Sequence, residues 1–427
     1  MSERDELEET ALPAMLVRRS DLPVPLAHPA RSFFGGLPKL PPRFDWPIAD
    51  VTAYKSLETV ALTFVAQIDL AEVPGGGWSP LPTRGTLYFF CSSVFVGEGH
   101  PPCRVLYSPT DGNAYPDRQP PPDLMPLAGS DGDYQVRWLN PDVDFHSKVE
   151  FKYPVSFRQF RDFYFLEDAV GGELMIKELC KALGPGEPQQ NDLLQFRRVD
   201  NYRKDDDWPF NWLLIACVVR SVLSNIQRDL TDGYYGKPAT EEAIAELKRF
   251  RTGAIGWLER CRDLTPLDEV DAGTKAAFRS WWFDIVQGYG KLDGQVTTSV
   301  GQITEDLGNA INHTIRCMAT HDVDAVDDAP LSYVANLVRQ NRWMAPTAEE
   351  GKRRHFQTAI HQMLGYGSSW QDATEEHLED ILLLQIEGDL AFFNWHSDIG
   401  GVLHFWIDPD ALAQGDFSQV VATYQCD

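Results

Sequence analysis

The most conspicuous group of titratable side chains in the strand-forming parts of the sequence consists of His396, Asp398 and His404. A histidine and an aspartate that meet on a turn can transfer or orient protons, as general acid–base chemistry requires. Local hydrogen bonds in an ordinary turn would account for the same residues. Gln67 and Gln385 add polar groups within otherwise apolar runs, where a buried amide must find hydrogen-bond partners. These residues suggest either a polar cleft or a structural network.

Motifs with a more definite chemistry do not occur in the sequence. It contains neither the HExxH motif of zinc peptidases nor the G-x-S-x-G motif of serine hydrolases. Gly75-Gly76-Gly77 is not followed by the Lys-Ser/Thr pair of a phosphate-binding loop, so we predict a surface turn. His321-Asp322-x-Asp324 offers nitrogen and oxygen ligands, but the segment lacks the glycine and final glutamate of a calcium-binding loop. We therefore predict an acidic loop there, with a metal site as a weaker alternative, and assign no catalytic residue, metal ligand or cofactor.

Composition restricts the classes of partner. The chain has 427 residues with 38 Lys+Arg and 63 Asp+Glu, a net charge of −25. This charge argues against binding nucleic acid or an anionic membrane surface. The longest apolar run, 212–219, is far shorter than the roughly 20 residues of a membrane span. Seven widely spaced cysteines without a CxxC pair argue against a disulfide framework, and the acidic N-terminus does not resemble a signal peptide. We predict a cytoplasmic protein.

Three parts of the chain must position these residues. Short apolar runs punctuated by glycine and proline predict strands in the first part, at 61–68, 85–90, 104–107 and 134–138. A period of three to four residues then predicts helices over 212–230, 244–258, from Thr265-Pro266, 300–318, 331–343 and 347–365. Strand patterns return at 380–386, 401–407 and 420–424. The central block is typical of a helical bundle.

The two strand-rich parts repeat one pattern. Phe64-x2-Gln67-Ile68-Asp69 corresponds to Leu382-x2-Gln385-Ile386-Glu387, and Gly85-x-Leu87-x-Phe89 corresponds to Gly401-x-Leu403-x-Phe405. We predict an α+β protein with a β-rich, internally duplicated, pseudo-symmetric domain, interrupted by an α-helical bundle insertion. The predicted parts are 13–204 for the first β-rich part, 205–350 for the insertion and 351–427 for the second β-rich part. Both glutamines are expected to form equivalent structural hydrogen bonds.

The same residues carry a resemblance to a known family. The N-terminal motifs are Gly35-Gly36-x-Pro38-x-Leu40-Pro41, Trp46-Pro47, 64–71, Leu81-Pro82 and Gly85-x-Leu87-x-Phe89-Phe90. The C-terminal motifs are His361-x2-Leu364-Gly365-Tyr366, Gln371, 382–386, Gly401-x-Leu403-x-Phe405-Trp406-Ile407, 416–418 and Gln425-Cys426. Together they resemble the YwqG-like family, a bacterial domain family of unknown function. The resemblance implies a β-rich duplicated fold without an established activity. The sequence departs from the family at Gly367 and at Trp395-His396-Ser397-Asp398, and the resemblance does not cover the helical insertion.

Two functional hypotheses follow. The first is a non-catalytic protein-interaction module whose acidic surface binds a basic protein partner. Residues 351–427 contain three Lys or Arg and twelve Asp or Glu, a balance of 3 − 12 = −9, and bacterial immunity proteins that neutralise basic toxins are one example of such a module. The alternative is an enzyme or small-ligand-binding protein with a cleft between the two β-units. Its predicted polar lining is Trp46, Gln67, Asp69, Gln385, His396 and Asp398.

Overall fold

Apolar segments from both ends of the sequence pair in one antiparallel sheet in the computed structural model of the protein. The structure describes residues 3–50, 59–75, 79–92, 99–124, 149–164, 169–183, 208–234, 238–262, 264–321, 360–368, 374–388 and 401–426. The strands are β1 (Leu12–Arg19), β2 (Phe33–Phe34), β3 (Ile48–Asp50), β4 (Thr59–Ala61), β5 (Thr63–Asp69), β6 (Thr86–Cys91), β7 (Cys103–Ser108), β8 (Tyr153–Asp162), β9 (Gln362–Leu364), β10 (Ile381–Glu387), β11 (Gly401–Ile407) and β12 (Val421–Cys426). The ten-stranded order is β12-β11-β10-β9-β1-β8-β2-β5-β6-β7, and β3 and β4 form a separate two-stranded sheet.

The strand order is symmetric about its centre. The β1–β8 pair lies at the centre. On one side of it the strands follow outward in the order β9, β10, β11 and β12, and on the other side in the matching order β2, β5, β6 and β7. The match includes an irregularity, since the register shifts between Phe64 and Ala66 in β5 and between Leu382 and Leu384 in β10. These positions correspond in the sequence repeat. The structure thus confirms an α+β fold with an internally duplicated sheet.

The two outer ends of this sheet also meet. Gly99 and Tyr424 exchange both backbone hydrogen bonds, with N···O distances of 3.0 and 2.8 Å. Inward-facing residues of both halves form one apolar cluster, in which the rings of Phe89 and Phe405 lie 5.1 Å apart. Burying such a ring contributes about 1.5–3 kcal/mol. The N-terminal and C-terminal segments therefore share a single core.

Contacts divide the chain into two compact units. The sheet belongs to the first, which comprises Met1–Ser130, Ser147–Leu193 and Gln340–Asp427. This unit also contains helices α1 (Glu3–Thr10), α2 (Ala169–Leu183) and α7 (Pro409–Gln414). The second unit comprises Asp131–His146 and Leu194–Arg339 and contains α3 (Trp212–Asp232), α4 (Glu241–Cys261), α5 (Ala272–Lys291) and α6 (Val300–His321). In the ranges given above, every helix is too short or too polar to serve as a transmembrane span.

The helix boundaries confirm some sequence predictions and correct others. The Thr240 hydroxyl accepts a hydrogen bond from Ala243 N and begins α4 as predicted. The helix expected from Thr265-Pro266 starts instead at Ala272, because the Asp271 carboxylate caps the Thr274 amide. The helix predicted to end at Gly365 is wrong at its end, since residues 362–364 form β9. The predicted strand 134–138 and helix 331–343 lie outside the described residues.

Candidate functional site

Gln67 lies on β5 with its side chain fully buried. Its Oε1 accepts a hydrogen bond from Lys39 N at 2.9 Å, and its Nε2 donates to Arg31 O at 2.9 Å. Between those two backbone partners the chain turns through Gly35 and Gly36, whose φ angles are +61° and +66°. These angles lie in the left-handed region that glycine adopts most easily. One amide therefore fixes both sides of the turn, an arrangement we call a glutamine clamp.

Gln385 forms the same clamp on β10 in the second half of the sheet. Its Oε1 accepts from Ser368 N at 2.6 Å, and its Nε2 donates to Ile360 O at 2.7 Å. The turn between those partners has φ angles of +63° at Leu364 and +72° at Gly365. In each half the clamped residues lie four positions before and four positions after the first left-handed residue. The predicted equivalence of the two glutamines is confirmed.

The residues two positions after each glutamine also correspond. Asp69 N donates to Ser32 Oγ at 2.9 Å, and Glu387 N donates to His361 Nδ1 at 3.3 Å. The carboxylates differ in their partners. Asp69 Oδ2 lies 3.3 Å from Arg31 Nη1, whereas Glu387 Oε2 accepts from the backbone N of Ile360 at 2.8 Å. Burial raises the pKa of Asp69, and the charge of Arg31 opposes that rise in part.

A buried charged side chain lies against each turn. Asp162 Oδ2 accepts hydrogen bonds from Gln362 Nε2 at 2.6 Å and from the backbone N of Tyr366 and Gly367 at 2.7 and 3.2 Å. A Cβ atom added at Gly365 would lie 2.6 Å from this oxygen. The second turn is therefore both anchored by a carboxylate and restricted to a residue without a side chain.

The charge at the first turn has the opposite sign. Lys152 is fully buried, and its Nζ donates to Leu26 O at 2.9 Å and His28 O at 2.7 Å. The ammonium lies 4.3 Å from the centroid of the Phe33 ring, a cation–π distance. Burial lowers the pKa of Lys152 to about 8. A Cβ atom at Gly36 would lie 2.9 Å from the Lys152 Cβ.

His404, one of the predicted titratable residues, is fully buried on β11. Its Nε2 lies 2.9 Å from Ser368 O, which can only accept, so Nε2 carries a proton. Its Nδ1 lies 3.2 Å from Thr423 Oγ1. The same hydroxyl oxygen accepts a hydrogen bond from Trp406 Nε1 at 3.1 Å. Both ring nitrogens are engaged within the chain. The other members of this predicted group, His396 and Asp398, lie outside the described residues.

The structure places the remaining predicted lining residues in two regions. Trp46 donates from Nε1 to Leu62 O at 2.8 Å, and its ring meets Phe90 edge-on at 5.3 Å. Gln67 and Asp69 lie on β5 in the same half of the sheet, but four strands separate β5 from β10, which carries Gln385. Ligand binding by these residues stays a prediction.

Several residues of this network escape sequence reasoning. Lys152 and Asp162 bind groups that are 124 to 205 residues away along the chain, so no local pattern identifies them. Gly36 and Gly365 each precede a strand glutamine, but at different distances, 67 − 36 = 31 and 385 − 365 = 20 residues. The β3–β4 hairpin, which lies between Gly36 and β5, explains the difference.

Metal ligation has no support from the described residues. Among them, no three His, Cys, Asp or Glu side chains are arranged to hold an ion. His313 Nε2 lies 3.3 Å from Cys317 Sγ, one turn away on α6. The neighbouring acidic segment, including Asp322 and Asp324, lies outside the described residues.

Comparison with curated proteins gives no match. A family model described as a domain of unknown function, DUF1963, matches residues 32–193 and 281–426. The two segments together cover more than half of the chain and contain both clamp glutamines, Gln67 and Gln385. Their separation along the sequence is consistent with a helical insertion. The chain belongs to the family described as Domain of unknown function (DUF1963).

Proposed function

We propose that this chain is a non-catalytic protein-interaction module, of the YwqG-like type, that binds a basic protein partner. The binding surface is a set of carboxylates at one end of the sheet, which we call the acidic end. Its members are Glu375, Glu376, Glu379, Asp380, Asp408, Asp410 and Asp416. A basic bacterial toxin neutralised by this protein is one partner of the required chemistry.

Strand pairing brings these carboxylates together. Ile381, the first residue of β10, pairs with Ile407, the last residue of β11. Residues 375–380 precede that pair and residues 408–416 follow it, so both segments emerge at the same end of the sheet. β12 begins at this end as well, since Val421 pairs with Trp406.

The two segments that form the acidic end carry a large excess of carboxylates. The described residues 374–388 and 401–426 contain eight carboxylates and neither lysine nor arginine. Only Glu387 among the eight is buried. Hydrogen bonds from Ser418 lower the pKa of Asp416, so this carboxylate stays ionised at neutral pH. A concentration of one charge sign accelerates encounter with an oppositely charged protein.

Exposed apolar side chains accompany the charges. Leu378 and Val421 are each 43% exposed, and both lie at the acidic end. A protein partner could bury these side chains, which supplies affinity that a purely electrostatic contact lacks. The combination favours a basic protein surface with apolar side chains over a small cation.

The conspicuous polar groups of the sheet favour this proposal over an enzyme or small-ligand-binding protein. Gln67, Gln385 and His404 direct their amides and imidazole at groups of their own chain, as the distances above show. The proposed location is cytoplasmic, on the wide spacing of the seven cysteines and the lack of a CxxC pair in the sequence.

The test compares two variants of the full chain with equal charge changes. The first is Glu375→Gln, Glu376→Gln, Glu379→Gln and Asp410→Asn. The control neutralises four exposed carboxylates elsewhere, by Glu9→Gln, Asp123→Asn, Glu259→Gln and Asp293→Asn. Each bead-bound protein is exposed to a bacterial lysate at low and high salt, and captured proteins are quantified and then purified for titration.

We expect basic proteins to bind the native chain and the control variant at low salt, to dissociate at high salt, and to be lost from the first variant. A purified partner should bind the first variant at least about tenfold more weakly, which corresponds to about 1.4 kcal/mol. Equal capture at both salt concentrations, or equal losses in both variants, would overturn the proposal.

A further inference from the structure

Cys91 and Cys103 face each other across neighbouring strands. They are register partners at the end of the β6–β7 ladder. The next pair outward is Ser92 and Pro102, joined by a hydrogen bond from Ser92 N to Pro102 O at 2.9 Å. Hydrogen-bonded and non-hydrogen-bonded pairs alternate along an antiparallel ladder. The two cysteines therefore form a non-hydrogen-bonded pair, whose Cα atoms are typically about 4.5 Å apart.

This geometry suits a covalent bond between the two sulfur atoms. Disulfides join residues whose Cα atoms lie about 4.4–6.8 Å apart and whose Cβ atoms point toward each other. Both cysteines belong to the interior apolar cluster and so project from the same face of the sheet. Their proximity also contributes to the raised pKa of Cys91, for which burial is the main cause.

The internal duplication shows that the fold does not require thiols here. The residues equivalent to Cys91 and Cys103 in the second half are Ile407 and Val420, because Phe90 pairs with Arg104 and Trp406 pairs with Val421. Both aliphatic residues belong to the same interior cluster as the cysteines. Packing alone is thus satisfied by ordinary apolar side chains, which leaves the thiol chemistry of one half unexplained.

We propose that Cys91 and Cys103 are a reversible oxidation site that forms an intramolecular disulfide with a low-molecular-weight disulfide as oxidant. The more exposed thiol, Cys103, loses its proton and attacks the oxidant, forming a mixed disulfide and releasing one small thiolate. The Cys91 thiolate then attacks the Cys103 sulfur and releases the second small thiolate. The two protein protons pass to the released thiolates, so two protein thiols are oxidised as one small disulfide is reduced.

The site lies where the ends of the sheet meet. Cys103 Sγ is 3.6 Å from Val420 O, and Gly99, between the cysteines in sequence, pairs with Tyr424 of β12. A Cys91–Cys103 bond would close a short loop around Gly99 and thereby hold this junction together. The junction is already formed with both thiols reduced, so oxidation would add to its stability, and this added stability would depend on the thiol–disulfide balance.

Burial sets the rate of oxidation. Cys91 and Cys103 are 2% and 6% exposed, and burial raises the pKa of Cys103 to about 12. Attack on the oxidant therefore requires local opening at β7, after which the second step is fast because the two sulfurs are neighbours. We expect slow oxidation in buffer and at least about tenfold faster oxidation in urea below the unfolding transition.

The test uses the reduced full chain with glutathione disulfide as the probe. We expect a mass loss of about 2 Da, a crosslink between the peptides containing Cys91 and Cys103, and reversal by dithiothreitol. The oxidised protein should melt several degrees higher than the reduced one. The Cys91→Val, Cys103→Val variant, which places aliphatic side chains at both positions as in the second half, should show neither the crosslink nor the shift.

Peptide mapping of the native chain decides the proposal even where the variant folds poorly. A crosslink between other cysteines, or two unreacted thiols at 91 and 103 after exposure in urea below the unfolding transition, would overturn it.

Discussion

The glutamine clamps predict a measurable asymmetry between the halves of the sheet. Replacing Gln385 with leucine, which has a similar volume, removes the partners of Ser368 N and Ile360 O. Each backbone group left buried without a hydrogen bond costs about 1–3 kcal/mol. The expected loss is therefore about 4 kcal/mol, a large part of the roughly 5–15 kcal/mol that stabilises a typical domain.

The matched change in the first half should cost less. Gln67→Leu leaves Lys39 N and Arg31 O without their partner, but these hydrogen bonds are only partly buried. Water can replace the amide there, so we expect a loss of about 2 kcal/mol. The corresponding hydrogen bonds of Gln385 are fully buried. Gln385 Nε2 also donates to Ser368 Oγ and Glu387 Oε1, at 3.0 and 3.1 Å. The difference between the two variants therefore reports burial together with these additional hydrogen bonds.

Amide hydrogen exchange measures each clamp separately. Gln385→Leu should accelerate exchange at the Ser368 amide by about 1,000-fold and leave the Lys39 amide nearly unchanged, because about 1.4 kcal/mol corresponds to a factor of ten. Gln67→Leu should do the reverse, with a smaller factor. Urea titrations followed by tryptophan fluorescence supply the total stability change. Unchanged protection of Ser368 in Gln385→Leu, or equal acceleration at both amides in either variant, would refute the reasoning.

Three further predictions concern the groups around the turns. The pKa of Lys152 falls to about 8 in the folded protein from its ordinary value of 10.5, so the unfolded chain binds more protons between these values. Between pH 8 and 10.5 the native chain should therefore gain up to about 3 kcal/mol in stability relative to Lys152→Met. Urea titrations of both proteins at each pH measure this gain. Parallel curves of stability against pH would contradict the lowered pKa of Lys152. Gly365→Ala should destabilise the protein by about 2–4 kcal/mol, because the added Cβ would collide with the buried Asp162 carboxylate and because alanine is strained at the Gly365 φ of +72°. An unchanged midpoint of urea unfolding would count against this contact. Thr423→Val removes a hydroxyl that contacts both Trp406 and His404 and should lower the free energy of unfolding by about 1–3 kcal/mol. A thermal midpoint equal to that of the native chain would contradict this prediction.

The sequence was sufficient to predict the duplication because the repeat is local. A polar residue recurs at the same position of an apolar strand, at Gln67 and Gln385, and strand alternation extends only over neighbouring residues. The outer strands of both halves follow from such patterns. The equivalence of the two amides follows from the requirement that buried polar groups find partners.

The centre of the sheet could not be predicted in the same way. β9 contains three residues, too few to show a period, and Gly365 follows it with a left-handed φ. A glycine in this conformation ends helices as readily as it forms the turn seen here, which explains the mistaken helix end. The partners of β9 lie on β1, more than 300 residues earlier in the sequence. Only the folded chain reveals that pairing.

Inserting the helical segment into the sequence between β8 and β9 lengthens the connection between these strands at a modest cost in free energy. Asp162 Oδ2 and Gln362 Nε2 are 200 residues apart in sequence yet lie 2.6 Å apart. Each doubling of a closed loop costs about 0.6 kcal/mol, so lengthening a connection of about 20 residues tenfold costs about 2 kcal/mol. Hydrogen bonds to a charged group contribute about 1.5–3 kcal/mol each. Asp162 accepts three of them, one from Gln362 on β9 and two from the backbone of Tyr366 and Gly367, which follow β9. A single buried carboxylate therefore offsets the added loop length, which explains how a three-residue strand keeps its place beyond so long an interruption.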